Sequence, residues 1–372
     1  MSHVVLAVEK MEVLKRFITP GTASGIITNQ TCTDSSNNFI LNDLKRELNI
    51  NKAFTPEHGL FGKSGGGEKV NSYFDKNFQL KVVSLYGENF KPKPEDLSDI
   101  QVVFYHIQDL GLRFYTYVST LFKFMEALHE QKSAVKLVIL DRPNPLGRAV
   151  EGPMLEPGFE SFVGMIPVPV RYGLTIGELA LFLKSKFKFE IDLEVVGMDN
   201  YEITEFRGWP RDLMWNPPSS AIKTLDTAYL YSGLCLLEGT DLSEGRGTGS
   251  PFRIVGKPGF NTEIVMEFVL RKNYLVRAQP AEFIPEFSKY KGMLCTGIIF
   301  EILSPDGFRG IDFASRILYA ANPVYNDFFD KLAGTDRLRK TIKNPEMERL
   351  IDIILITEAE KFKLEREKYF LY

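Results

Sequence analysis

Cysteine, histidine and tryptophan are scarce in this chain: three, four and two residues among 372. Cys32, Cys235 and Cys295 are odd in number and widely spaced. That fits neither a disulfide framework nor a CxxC metal knuckle, so they read as small buried hydrophobes. Long apolar runs are missing as well. Val4 to Val8 is interrupted by Glu9, Lys10, Glu12, Lys15 and Arg16, so neither a signal peptide nor a membrane span is predicted and the expected location is cytoplasmic. An excess of one charge is also absent: 45 basic against 48 acidic residues leave a net charge of -3. No electrostatic footprint for nucleic acid or anionic lipid results.

With 44% hydrophobic and 25% charged residues the chain has the composition of a globular protein, which excludes disorder, collagen and low complexity. Its mass of 42.3 kDa corresponds to folded and unfolded surfaces of roughly 15,000 and 61,000 Å2, enough to bury a large core. At about 150 residues per domain, two folding units are expected.

The first half alternates short apolar runs with helical patterns, the signature of an α/β fold with a parallel sheet flanked by helices. Strands are predicted at Ser24 to Thr28, Lys52 to Thr55, Lys81 to Leu85, Gln101 to Ile107 and Val135 to Leu140. Helices are predicted at Phe39 to Leu48, Tyr117 to Gln131 and Thr175 to Phe189, the last with a Thr175/Glu178 capping box. A loop-rich middle ends in the glycine-dense run from Glu238 to Gly249, and a charged helix closes the chain at Glu346 to Lys368. The division is placed at 1–250 for a catalytic part and 251–372 for a smaller auxiliary α+β part.

Ligands of open parallel sheets sit beyond the carboxyl ends of the strands. The polar residues there are Asn29, Glu57 with His58, Asp109, and Asp141 with Asn144. Asn144, between two prolines, also reads as a turn former. Gly62-Lys63-Ser64 is the tail of a phosphate loop, but Glu57 stands where the first glycine belongs and would repel phosphate. Gly65-Gly66-Gly67 then reads as a flexible rim, and no GxGxxG follows the first strand. A structural role, held by an arginine or by backbone amides, competes with a catalytic one for an isolated Glu57. Glu151, before Gly152-Pro153, reads equally as a rigidly aimed acid or as a surface turn. Arg113, next to Phe114, Tyr115 and Tyr117, offers a fork donor among aromatic rings. His58, His106 and His129 show no paired metal spacing, and GxSxG is absent. Carboxylates, arginine, asparagine and tyrosine match glycoside hydrolysis better than acyl or phosphoryl transfer.

The chain resembles the NamZ-type exo-β-N-acetylmuramidases, a family of peptidoglycan hexosaminidases. The matching segments are Ile26 to Asn29, Pro56 to Gly59, Gly67 to Val70, Leu85 to Gly87, Ile107 to Tyr117 and Asp141 to Pro145. They continue in Glu151 to Pro153, Gly173 to Leu179 and Glu238 to Thr248. The resemblance implies a Rossmann-like catalytic subdomain, a C-terminal auxiliary subdomain, and release of terminal N-acetylmuramic acid with glutamates as catalysts and no cofactor or metal. It carries over to Glu57 and Glu151 as the catalytic pair, with Glu68 and Glu238 in equally family-like segments; the apolar Ala149-Val150 before Glu151 favours it as acid, and His58 beside Glu57 favours Glu57 as base or nucleophile. Asn29, His58, Asp109, Arg113, Tyr115, Asp141, Asn144, Glu238, Glu244 and Arg246 are the expected substrate-binding residues. Arg113 or Arg246 would hold the lactyl carboxylate of the sugar.

The chain departs from the family pattern at His106, at Tyr172 and in the loop from Pro218 to Thr224. These departures bear on sugar specificity more than on chemistry. Two other classes stay open: a metal-dependent amidase or deacetylase using His58, Asp109 and His106, and a catalytically silent glycan-binding protein. The expected partner is a carbohydrate.

Overall fold

The computed structural model describes residues 3–63, 65 and 67–372, without the side chains of residues 357 and 358. Ser64 of the phosphate-loop-like tail and Gly66 of the glycine rim lie outside the described residues.

Seven strands form one sheet: β1 (Ser24–Thr28), β2 (Ile50–Thr55), β3 (Tyr73–Asp75), β4 (Leu80–Ser84), β5 (Val102–His106), β6 (Lys136–Leu140) and β9 (Leu193–Val196). Their order is β3-β4-β2-β1-β5-β6-β9, and every pairing is parallel except that of β3 with β4. Leaving β3 aside, the parallel strands follow the doubly wound order in which the chain reverses between β1 and β5. β1 and β5 are buried along their whole length, because helices on both faces remove them from water. The predicted Rossmann-like sheet is therefore present, and five of its strands lie where the sequence puts them.

The predicted cap of the helix Ile176–Phe187 forms. Thr175 accepts from the Glu178 backbone N–H, and the Glu178 carboxylate accepts from the Thr175 N–H at 2.9 Å. The hairpin β7 (Glu151–Met154) and β8 (Pro169–Arg171) leaves the sheet and meets the C-terminal region. There β10 (Ile254–Lys257), β11 (Val276–Phe283) and β12 (Cys295–Ile302) form a three-stranded antiparallel sheet. The closing helix runs Met347–Arg366, a little shorter than expected.

The two regions share one core. A single hydrophobic cluster runs from Ile27 to Phe362. The helices Leu225–Leu234 and Gly310–Ala321 touch backbone to backbone, since a Cβ on Gly233 would lie 1.7 Å from the Gly310 carbonyl oxygen. Arg113 ties the same regions together by polar bonds, with both terminal nitrogens donating to backbone carbonyls from residues far apart in the chain. The total accessible surface of 15373 Å2 matches that of a compact monomer of this mass. Among the described residues no helix is long and apolar enough to cross a membrane.

Candidate active site

The crevice where strand order reverses is filled by the chain itself. Asn29 Oδ1 accepts from the backbone N–H and hydroxyl of Thr31 at 2.9 and 2.6 Å, and the Thr31 hydroxyl accepts from the Gln108 N–H at 2.9 Å. Arg142 donates to Gln108 Oε1 at 2.9 Å and to the Thr31 and Thr33 carbonyls at 3.1 Å each. His106 is fully buried with Nε2 3.2 Å from the Arg142 guanidinium. Burial, then the neighbouring positive charge, holds its pKa well below the usual histidine range.

Open space lies to the side, over the end of β2 and the start of the helix Tyr117–Glu130, in a cleft of about 770 Å3 between the sheet and the C-terminal region. Glu57 lines it. His58 and Gly59 turn the chain sharply after β2 with left-handed φ angles of 73° and 72°. The Glu57 carboxylate accepts from the Gly67 N–H at 2.7 Å through Oε1 and from the Thr116 hydroxyl at 2.6 Å through Oε2. The Tyr86 hydroxyl lies against the same carboxylate. Burial, reinforced by that negative charge, pushes its pKa up to about 12, so it stays a donor.

A chain of contacts leads from Glu57 to the opposite wall. Tyr115, next to Thr116, packs edge-on against Tyr117 and Tyr231 at 4.8 and 6.0 Å between ring centroids. Tyr231 packs on Phe252 at 4.6 Å, and the Arg246 guanidinium sits 4.9 Å from the Phe252 centroid. Arg246 Nε then donates to Glu238 Oε1 at 2.6 Å. Lys289 lines the same wall and braces it, donating to the Leu237 and Leu242 carbonyls at 2.8 Å each and to Glu244 at 2.9 Å. Burial raises the pKa of Glu238 and nearby Glu244 adds to the rise, against the pull of Arg246. Burial works against the charge of Arg246, but the Glu238 carboxylate outweighs it and holds that pKa above the ordinary value.

Of the residues expected from the sequence, Glu57, His58, Tyr115, Glu238, Glu244 and Arg246 line this cleft, as does Glu68. The others are placed elsewhere. Glu151 is 1% exposed, and its Oε1 accepts from the Asp312 N–H at 3.0 Å, at the start of the helix Gly310–Ala321. Burial pushes its pKa up to about 7. The expected Glu57/Glu151 pair is thus not brought together, because the β7 strand that carries Glu151 turns into the packed junction with the C-terminal helices. Asp109 accepts from the Gly111 N–H at 2.7 Å and from the Tyr172 hydroxyl, and burial pushes its pKa up to about 6. Asp141 accepts from the Thr175 hydroxyl at 2.7 Å, the Gly177 N–H at 2.8 Å and the Tyr372 hydroxyl at 2.9 Å, and burial lifts its pKa to about 7. Asn144 accepts from the Leu146 N–H at 3.0 Å and donates to the Leu174 carbonyl at 2.9 Å, a turn-forming role. Asn29 lies in the filled crevice, its Oδ1 taken by Thr31.

Arg113 is fully buried. It donates to the Pro153, Val168, Leu332 and Ala333 carbonyls at 2.9, 2.7, 3.2 and 2.6 Å, and burial alone pulls its pKa down to about 9. It has no fork left for a ligand. Among the described residues no group of three His, Cys, Asp or Glu side chains could hold a metal ion. His58, Asp109 and His106, the metal set considered above, are not gathered.

Several lining residues are not singled out by the sequence, although Tyr86 and Thr116 lie in matching family segments. Thr116 and Tyr86 are ordinary residues until the fold sets them against Glu57. Cys235, one of the expected buried hydrophobes, borders the cleft with its thiol 3.7 Å from Glu238. The divergent loop supplies Ser219, Ser220, Ala221 and Ile222, and the Pro218 carbonyl anchors it by accepting from the Tyr117 hydroxyl and Gln30 Nε2, each at 2.6 Å.

Residues 24–226 match the family model described as the N-terminal part of the exo-β-N-acetylmuramidase NamZ, and residues 229–372 match its C-terminal part. The chain is 35% identical over 373 residues to the peptidoglycan β-N-acetylmuramidase NamZ of Bacillus subtilis, covering 95% of this chain and 87% of that protein. Two crystal structures of DUF1343 family proteins from Bacteroides fragilis share the fold. One has a TM-score of 0.86 with 28% identity and 99% of both chains covered. The other has a TM-score of 0.79 with 28% identity, covering 100% of this chain and 99% of that one.

Proposed function

The chain belongs to the NamZ exo-β-N-acetylmuramidase family, and we propose that it is a glycoside hydrolase releasing N-acetylmuramic acid from the non-reducing ends of peptidoglycan fragments, with Glu57 and Glu238 as its working carboxylates. The observation that carries the assignment of these two residues is that one cleft holds both, in opposite environments. Glu57 receives a donor on each oxygen, an arrangement that suits an ionised carboxylate. Glu238 is half-buried near a second carboxylate, Glu244, and burial raises its pKa even against the bond from Arg246, which suits a group that carries a proton to the site.

In this scheme Glu238 delivers its proton to the glycosidic oxygen as the C1–O bond breaks. Glu57 sets its negative charge against the oxocarbenium-like transition state and accepts a proton from the water whose oxygen ends on C1. Arg246 uses Nε for Glu238, and its two terminal nitrogens form the fork that takes the planar lactyl carboxylate. The stack on Phe252 fixes the guanidinium plane. Tyr115 and Tyr231 offer apolar ring area to the sugar.

The direct test is incubation with a disaccharide bearing N-acetylmuramic acid at its non-reducing end, with mass detection of the products. Equal amounts of the two monosaccharides are expected. An unchanged disaccharide after prolonged incubation with folded protein contradicts the proposal.

A further inference from the structure

Three aromatic rings form a ledge at the Glu57 end of the cleft. Tyr86 and Phe162 line the cleft, and Phe90 extends the surface outward at 37% exposure. The ring centroids lie 5.8 Å apart for Tyr86 and Phe90, 5.3 Å for Tyr86 and Phe162, and 4.6 Å for Phe90 and Phe162; Tyr86 stands edge-on to the other two at 87° and 62°, and Phe90 and Phe162 are tilted by 40°. The backbone beneath is held in place. Ser161 and Gly164 exchange two bonds of 3.0 Å around Phe162, and the Ser119 hydroxyl donates to the Phe162 carbonyl at 2.7 Å. The ledge is therefore set before any ligand arrives. Apolar area left exposed beside a polar cleft calls for an occupant.

We infer that this ledge binds the leaving group, a hexosamine ring on the reducing side of the cleaved bond, through the flat C–H face of that pyranose. The inference rests on the reading above, in which Arg246 holds the terminal sugar. Tyr86 and Phe162 line the same cleft as Glu57, so the ledge borders the end of the cleft where the bond breaks. Arg246 lies on the wall opposite Glu57, with Glu238 bonded to its Nε. A sugar anchored at Arg246 with its anomeric carbon at Glu57 directs the next ring onto Tyr86, Phe162 and Phe90. Stacking on aromatic faces recognises ring shape and tolerates differences in hydroxyl pattern, which suits a site that must release its product after every turnover.

The test compares two substrates of the full chain that share the terminal sugar: the N-acetylmuramyl-N-acetylglucosamine disaccharide and methyl β-N-acetylmuraminide, whose leaving group cannot reach the ledge. In Phe162→Ala the ratio of kcat/KM for the disaccharide to that for the methyl glycoside should fall about tenfold, chiefly through KM, and Phe162→Tyr should restore it. Phe90→Ala, a change at an exposed side chain that leaves folding intact, should lower the same ratio by about threefold. An unchanged ratio in both alanine variants, with normal melting, overturns the ledge assignment while leaving the glycosidase reading in place. Failure of the unmodified protein to cleave either substrate overturns that reading and the ledge with it.

Discussion

Two sets of carboxylates in this molecule look alike in sequence and differ in whether the cleft reaches them. Glu57, Glu238 and Glu244 border the cleft. Glu57 meets a hydroxyl and a single backbone amide, and the other two meet the cationic side chains of Arg246 and Lys289. Asp109, Asp141 and Glu151 are almost fully buried behind it. Each accepts from at least one backbone N–H, and burial raises the pKa of each. A raised pKa does not by itself single out the working carboxylate here, because Glu238 in the cleft shares it with the three buried ones. The accessible space in front of the group, and the partners still free to change, separate the two sets.

The largest effect that would sharpen this contrast is in the cleft. Glu238→Gln removes the titrating group at nearly constant volume and should lower kcat on the muramic-acid disaccharide by about a hundred- to ten-thousandfold with normal folding. Turnover within a few-fold of the unmodified enzyme would place the acid elsewhere. Next is Arg113, the fork expected to be free and found with both terminal nitrogens engaged. Arg113→Met leaves four carbonyls without a donor and should cost about 3–5 kcal/mol in urea unfolding. Unchanged stability together with lost sugar selectivity would return Arg113 to ligand binding.

The third prediction concerns pH. Glu151 has a folded pKa of about 7, raised from 4.5. The native state therefore holds a proton that the unfolded chain releases between those values. Its favourable share of stability is complete below pH 4.5 and is lost as pH rises to about 7, a change of about 3 kcal/mol. Glu151→Gln should match the parent at pH 4.5 and exceed it in melting temperature at pH 8. The opposite order would show an ionised, ion-paired Glu151. The smallest expected effect is on specificity. Arg246→Met should reduce the preference for terminal N-acetylmuramic acid over N-acetylglucosamine by about ten- to a hundredfold, read as a ratio of kcat/KM values. No change in that ratio would remove Arg246 from lactyl recognition.

The sheet was legible because β1, β5 and β6 are short apolar runs covered on both faces, and the helix at Ile176–Phe187 because its cap is written in Thr175 and Glu178. β3 and β9 are not legible: three and four residues at the sheet edges, partly exposed, carry too little pattern. For the cleft, strand-end position pointed to Glu57, and the family resemblance pointed to Glu238, Glu244 and Arg246. The same reasoning placed Asp141 and Asn144 beside them. A strand end supplies helix caps and turn formers as readily as ligands, and only the three-dimensional partners tell which. Arg113 could not be read at all, because its four acceptors are backbone atoms at residues 153, 168, 332 and 333. Thr116 and Tyr86 gain meaning solely from a carboxylate brought to them by β2.

The contrast is tested most directly by Glu57→Gln and Glu151→Gln assayed side by side for release of N-acetylmuramic acid from the disaccharide. Glu57→Gln should lose about three orders of magnitude in rate and keep the parent's melting temperature, whereas Glu151→Gln should retain turnover within a few-fold. A silent Glu151→Gln enzyme that is fully folded, next to an active Glu57→Gln enzyme, would contradict the account and move the chemistry to the buried junction.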